Sequence, residues 1–266
     1  MFLNGRVLII AGSDSGGGAG VQADIKTVTA LGGYAATAIT AVTVQNTLGV
    51  TGVHPIPLDI IEAQARAVLD DIGADAIKTG MLGDAATVDL VARLLEAYPI
   101  PAVIDPVMIA KGGASLLASE AVAMVRERLV PLAALLTPNA PEAEALTGLT
   151  VSTTDDLRRA GDALLKLGAK AVLMKGGHVP GDRVVDVLMT PEGETAFEGE
   201  RIASRHTHGT GCTLASACAT GIAQGLPLAE TVARAWDYVH EAMLRAPGLG
   251  AGHGPLDHGW PLRGRA

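Results

Sequence analysis

The chain has 266 residues, with 20 Lys+Arg against 28 Asp+Glu, giving a formal net charge of −8 and a pI near 5.3. That balance offers no electrostatic footprint for nucleic acid or an anionic membrane, so any phosphate the protein binds must be held by local groups. Aromatics make up only 3% and hydrophobic residues 48%, so the core must be built from Ala, Val, Leu and Ile, which suits helices packed on a parallel sheet.

The first apolar run, "RVLIIAG", predicts a strand and not a signal peptide, because Arg6 follows Phe2 and Leu3 and the run passes straight into a glycine loop. A helix is expected over 19–31, then strands at "YAATAITAVTV" and "VTGVHPI", which are rich in β-branched residues. Residues 27–58 carry no Asp, Glu, Lys or Arg, longer than the roughly 20 residues that span a bilayer. Yet Gln45, Asn46, the paired Gly32 and Gly33, Pro55 and Pro57 break the stretch into strands and turns. Next come a helix "LDIIEAQARAVLDDI", a strand "DAIKTG", a helix "DAATVDLVARLLEAY" and a strand "AVIDPVM". In the second of these helices Val88, Val91, Leu94 and Leu95 fall on one face.

A helix over 119–129, a short strand "ALLTPN", helices over 141–146 and 153–167 and a strand "KAVLMKGG" follow. "RVVDVLMTPEGETAFEG" predicts a hairpin turned by "PEG", and helices over 210–224 and 228–244 close the chain. The alternation of strand and helix predicts an α/β fold with a mainly parallel sheet covered on both faces. No linker, repeat or shift in composition divides the chain, so one domain over 1–266 is expected.

Ligands of open α/β sheets gather at the C-terminal ends of the strands. The polar blocks there are "GSDSGGGAG", "VQN", "KTGML", "DPVM", "TPNAPE", "MKGGH" and "HGTGCT". Each alone equally fits an ordinary turn. The loop from Gly12 to Gly20 matches neither a P-loop nor a dinucleotide fingerprint, but allows close approach by a small substrate. Asp24, one turn into the following helix, either faces that substrate or stabilises the helix N-terminus.

"HGTGCT" is the strongest local signal. Gly209 and Gly211 let successive N–H groups point into one concavity at a helix N-terminus, which favours an anionic phosphoryl group in transfer. At that position Cys212 is expected to have a lowered pKa, although a small buried side chain fits the same letter, and Cys218 reads as buried. The two cysteines show neither zinc nor C-x-x-C spacing, which points to a reducing cytoplasm.

The blocks "AGSDSGGGAGVQADIKT", "AVTVQNT", "IKTGML", "DPVM", "LLTPNAPEAEALTG", "LMKGGH" and "HGTGCTLASA", with the closing "GHGPLDH", occur in order from Val7 to His258. In this the chain resembles the hydroxymethylpyrimidine/phosphomethylpyrimidine kinases of thiamine biosynthesis, members of the ribokinase-like fold. The resemblance implies a three-layer α/β/α architecture and a homodimer, with small-molecule substrates and neither nucleic acid nor membrane as partner. It also implies ATP-dependent phosphorylation of 4-amino-5-hydroxymethyl-2-methylpyrimidine and then of its monophosphate.

Carried onto this chain, the resemblance gives Gln45 to the aminopyrimidine, whose donor and acceptor edge a carboxamide matches. Gly12, Met81 and Val107 would line the same pocket, with Met81 on the ring. Gly209, Thr210, Gly211 and Cys212 would form the anion hole, with Cys212 accepting the hydroxyl proton or sitting beside the nucleophile while backbone donors act. Asn139 and Glu142 of "NAPE" fit an N-x-x-E pattern that positions Mg²⁺ and phosphates, or equally a helix cap with a first-turn acid. Asp105 would lie near metal or phosphate, Lys175 near ATP and His208 near phosphate or the turn, while His206 reads as ordinary surface. A pyridoxine or pyridoxal kinase of the same fold is the closest alternative, and an inactive pyrimidine-binding protein a more distant one. Closing loops are sought at 110–115 and in "GGHVPGDR".

Overall fold

The computed structural model describes residues 4–108 and 119–263, and the candidate loop at 110–115 lies outside them. Nine strands join one sheet: β1 (Arg6–Asp14), β2 (Tyr34–Asn46), β3 (Gly49–Pro55), β4 (Ala76–Thr79), β5 (Ala102–Ile104), β6 (Ala133–Leu136), β7 (Val172–Met174), β8 (Arg183–Thr190) and β9 (Gly193–Glu200). Their order is β3-β2-β1-β4-β5-β6-β7-β8-β9. The strands from β2 to β7 in that order pair parallel, whereas β3 at one edge and the β8–β9 hairpin at the other pair antiparallel.

Side-chain alternation along the central strands divides the core in two, because successive residues of a strand point to opposite faces. Leu8, Ile10, Ile77, Ile104 and Leu136 pack on one side with α2 (Leu58–Asp71), α3 (Ala85–Ala97), α4 (Ser119–Met124), α5 (Ala140–Thr147) and α6 (Thr154–Lys166). Val7, Ile9, Val103, Leu135 and Leu173 pack on the other with α1 (Gly20–Ala30), α7 (Thr210–Ala223) and α8 (Leu228–Leu244). The three-layer arrangement implied by the resemblance is therefore present. The helix expected over 119–129 is α4 continued by a π-helical turn, Val125–Leu129.

The connection from β1 runs out to β2, and the chain then crosses to β4 on the other side of β1. That reversal opens a crevice at the strand ends, which is where open sheets hold ligands. Beneath the crevice, Lys78 of β4 stands with no solvent exposure and donates to both oxygens of Asp24 in α1, at 2.8 and 3.0 Å. Ser216 of α7 donates to the same carboxylate at 2.7 Å. One buried ion pair, extended by a serine hydroxyl, thus ties a central strand to two helices on the same face of the sheet.

Removing one partner of such a pair leaves an uncompensated buried charge, at a cost of about 3–5 kcal/mol. Asp24→Ala is expected to lose that much in urea unfolding, and Asp24→Leu combined with Lys78→Met to recover most of it. A loss below about 1 kcal/mol for the single variant would contradict the account.

Candidate active site

A cavity of about 720 Å³ opens at the reversal point. Its wall includes Gly12, Asp14, Gln45, Met81, Asp105, Val107, Asn139, Glu142, Lys175, His208, Gly209, Thr210, Gly211 and Cys212. Every candidate named from the sequence except Asp24 is on that list. Asp24 faces neither the cavity nor its helix N-terminus; it is fully buried against Lys78 and Ser216, because only a buried cation nearby offsets the cost of burying its charge. It is therefore a positioning residue and not a group that touches substrate. Lys78, its partner, borders the cavity and was not singled out from the sequence. The signal was a lysine inside the otherwise apolar "DAIKTG", which demands a buried counterion.

The two glycine loops meet back to back. Gly209, the N-cap of α7, has φ +83°, and a Cβ there would run into the Gly18 carbonyl. A Cβ on Gly18 would in turn strike the His208 ring. Glycine is thus required twice, once by conformation and once by contact. Helix geometry leaves the first N–H groups of α7 without partners inside the helix. That of Thr210 reaches Thr207 O at 3.4 Å, and the next two belong to Gly211 and Cys212, which line the cavity. The helix dipole adds to their attraction for an anion.

Cys212 departs from its expectation. Burial pushes its thiol up to about 11, although Lys78 and the Gly20 N–H pull the other way. The loss of water around the thiol, with the Asp24 and Asp105 carboxylates nearby, outweighs the pull of those two groups. Cys218 is fully buried, and burial pushes it up to about 12.

Beside the first turn of the helix, next to Gly211, Lys175 donates to Asp105 at 3.0 Å and lies 3.7 Å from Glu142 Oε2. Burial drives the Glu142 carboxyl up to about 7 against the pull of Lys175, while the Lys175 ammonium is raised by Asp105 and Glu142 despite its burial. Asn139 and Glu142 form a complete capping box at the start of α5: Glu142 N–H donates to Asn139 Oδ1 at 3.0 Å and Asn139 N–H to Glu142 Oε2 at 2.8 Å. Among the described residues no cluster of three or more His, Cys, Asp or Glu suits a metal ion. Two hard carboxylates at a cavity wall nevertheless match Mg²⁺, which keeps most of its ligands as water and substrate phosphate.

On the substrate side Met81 lies over Gly12, whose missing Cβ leaves room for the Met81 methyl. Gln45 stands between Thr43 and His208, and His208 Nε2 lies 2.8 Å from Asp14 Oδ2. Asp14 accepts further N–H groups from Gly16, Gly18 and Ala19, and the bonds from His208, Ala19 and Gly16 hold its carboxyl below the ordinary value despite burial. Its sequence signal was an aspartate opening a glycine run, the place for a side chain that bonds the loop's own backbone. His206 is not ordinary surface. It is half-buried, and its Nδ1 has no hydrogen-bond partner among the described residues. The "GGHVPGDR" loop is fastened by Arg201, which donates to the carbonyls of Gly177, Val179 and Gly181 at 2.8, 2.6 and 2.7 Å.

The raised Cys212 thiol sets an expected alkylation profile. Reaction of Cys212 with iodoacetamide, followed by mass spectrometry, should keep rising about tenfold per pH unit from 7 to 10, because the thiolate is the reactive form. A plateau near pH 9, as for a free thiol, would contradict the burial argument. Cys218 should stay unmodified throughout.

A family model described as phosphomethylpyrimidine kinase matches residues 14–257. The hydroxymethylpyrimidine/phosphomethylpyrimidine kinase of Streptomyces coelicolor is 50% identical over 96% of this chain and 95% of its own length. The thiamine biosynthesis bifunctional protein ThiED of Geobacter sulfurreducens is 52% identical over 97% of this chain, which spans about half (53%) of that protein. Among solved structures, an ADP complex of Bacillus subtilis pyridoxal kinase superposes with a TM-score of 0.91 at 37% identity, covering 98% of this chain and all (100%) of that one. The matched span contains every cavity block from Asp14 through Lys175 to Cys212, and the chain belongs to the phosphomethylpyrimidine kinase family.

Proposed function

We propose that the protein transfers the γ-phosphate of ATP to the hydroxymethyl group of 4-amino-5-hydroxymethyl-2-methylpyrimidine, and then a second phosphate to the resulting monophosphate, within thiamine biosynthesis. The observation that carries this reading is one cavity bounded by the Gln45 carboxamide on one side and the α7 N-terminus on the other. Gln45 reads the aminopyrimidine edge, with Gly12, Met81 and Val107 around the ring. The backbone of Gly209 to Cys212 receives the phosphoryl group, and Lys175 and Asn139 stand on the ATP side, with His208 shaping the turn between them and the ring.

Phosphoryl transfer passes through a loose transition state in which positioned donors carry most of the stabilisation. The acceptor oxygen bonds to the γ-phosphorus as the bond to the β–γ bridging oxygen breaks, ADP departs, and the hydroxyl proton leaves late, onto the transferred phosphate. A thiol held near 11 is protonated at neutral pH, so Cys212 serves as a neutral neighbour of the nucleophile. The second step supports the same role, because a monophosphate acceptor oxygen carries no proton that needs a dedicated base. Mg²⁺, held by Glu142 and Asp105 together with the nucleotide, would supply charge neutralisation at the phosphates.

Among the described residues no helix is long and apolar enough to cross a membrane. The free thiols of Cys212 and Cys218 suit a reducing cytoplasm. The continuous sheet supports one kinase domain over 1–266. The β2–β3 hairpin leaves Val42, Val44 and Leu48 exposed at 43%, 62% and 73%, and a second copy of the chain is the partner proposed to cover them.

Purified protein given ATP and Mg²⁺ should phosphorylate the pyrimidine and its monophosphate, with diphosphate appearing. A preference for pyridoxine or pyridoxal would move the reading to the vitamin B6 kinases that share its fold, and no ATP turnover with any of them would leave a binding protein. In sedimentation the wild type should run as a dimer and Val44→Lys as a monomer; a monomeric wild type would remove the hairpin interface.

A further inference from the structure

The Gln45 carboxamide has two side-chain neighbours whose own hydrogen bonds leave them little choice. Its oxygen lies 3.0 Å from Thr43 Oγ1, and its nitrogen lies 3.2 Å from His208 Nε2. Thr43 Oγ1 is also 2.9 Å from the Ser13 carbonyl, which only accepts, so the single hydroxyl proton belongs to that bond. His208 Nε2 is 2.8 Å from Asp14, a carboxylate already receiving three backbone N–H groups, so Nε2 must carry a proton and donate it there. The amide oxygen therefore meets an oxygen with no proton left to give, and the amide nitrogen meets an N–H with no lone pair. A half-turn about the last side-chain bond exchanges the two ends, which have the same shape and are told apart only by their partners. The Thr43 contact then becomes a hydrogen bond, and the clash of two N–H groups at His208 is replaced by an Nε2–H shared between Asp14 and the amide oxygen.

We propose that Thr43 and the Asp14–His208 pair fix the Gln45 carboxamide with its NH2 toward Thr43 and its oxygen toward His208, which makes them specificity-determining positioning residues. In this orientation the edge left facing the cavity offers an N–H on the Thr43 side and a lone pair on the His208 side. Resting on the pyrimidine reading above, ring N3 accepts the first and the 4-amino group donates to the second. The 5-hydroxymethyl group is the next substituent beyond the amine, so it falls on the side of His208, whose neighbour Gly209 opens α7. The opposite amide orientation would send the reacting hydroxyl toward Thr43, away from the helix N-terminus. A 4-oxo analogue in its lactam form presents N3–H and C4=O, the reverse pattern, and is rejected.

Two measurements test this. In NMR of protein labelled with 15N at glutamine side chains, the Gln45 NH2 protons should show NOEs to the Thr43 methyl group and none to the His208 ring; NOEs to the ring instead would overturn the assignment whatever the substrate. By calorimetry, wild-type protein should bind the 4-amino pyrimidine at least about 100-fold more tightly than the 4-oxo analogue, as a site with paired polar groups rejects a mismatched one. Thr43→Val should reduce that ratio about tenfold and Thr43→Ser should preserve it. An unchanged ratio in Thr43→Val overturns the positioning role. A wild type that binds neither compound overturns the pyrimidine reading alone, and the NOE pattern still decides the amide.

Discussion

The site depends on a charge that the core cannot avoid. Lys78 sits in a central parallel strand, where both faces are covered and side chains are normally Val, Ile or Leu. Its ammonium is raised by Asp24, Cys212 and Asp105 against burial, and stays charged. Burying that ion is tolerable only because Asp24 and Ser216 arrive from two helices at fixed distances. The pair therefore constrains where α1 and α7 lie relative to β4. Those helices follow the two glycine loops, so the constraint also sets how the loops meet above it.

Around that floor the cavity is divided by chemistry. The α7 N-terminus with Gly211 and Cys212 attracts an anion, and the Lys175, Asp105 and Glu142 group presents mixed charge suited to a nucleotide with its metal. The side formed by Gly12, Met81 and Gln45 pairs a thioether over a bare glycine with one carboxamide. An acidic protein of net charge −8 thus has fixed dipoles and a few local cations, and not an overall field, with which to attract phosphate.

Much of this was legible in the sequence because strand ends announce themselves. The β-branched runs, the glycines after them and the "NAPE" and "HGTGCT" blocks located the cavity wall residue by residue. What stayed hidden depends on who packs against whom. Asp24 looked like a residue facing substrate because its partner Lys78 lies 54 residues further on. Cys212 looked acidic because a helix N-terminus is visible in sequence, whereas the burial that raises its thiol is a tertiary property. Thr43 and Asp14 were passed over for the same reason, since their importance comes from bonds to distant partners, the proton Thr43 gives to Ser13 and the one Asp14 receives from His208.

The meeting of the two glycine loops has a temporal side. Asp14 and His208 are 194 positions apart, Asp24 and Ser216 192, and Gln45 and His208 163. Contacts so distant in sequence are costly to close and form late. During synthesis the strands near the N-terminus emerge long before α7, so Lys78 and Asp24 must wait for the last quarter of the chain before their surroundings are complete. The catalytic cavity is accordingly a late product of folding, and partly made chains carry no working version of it.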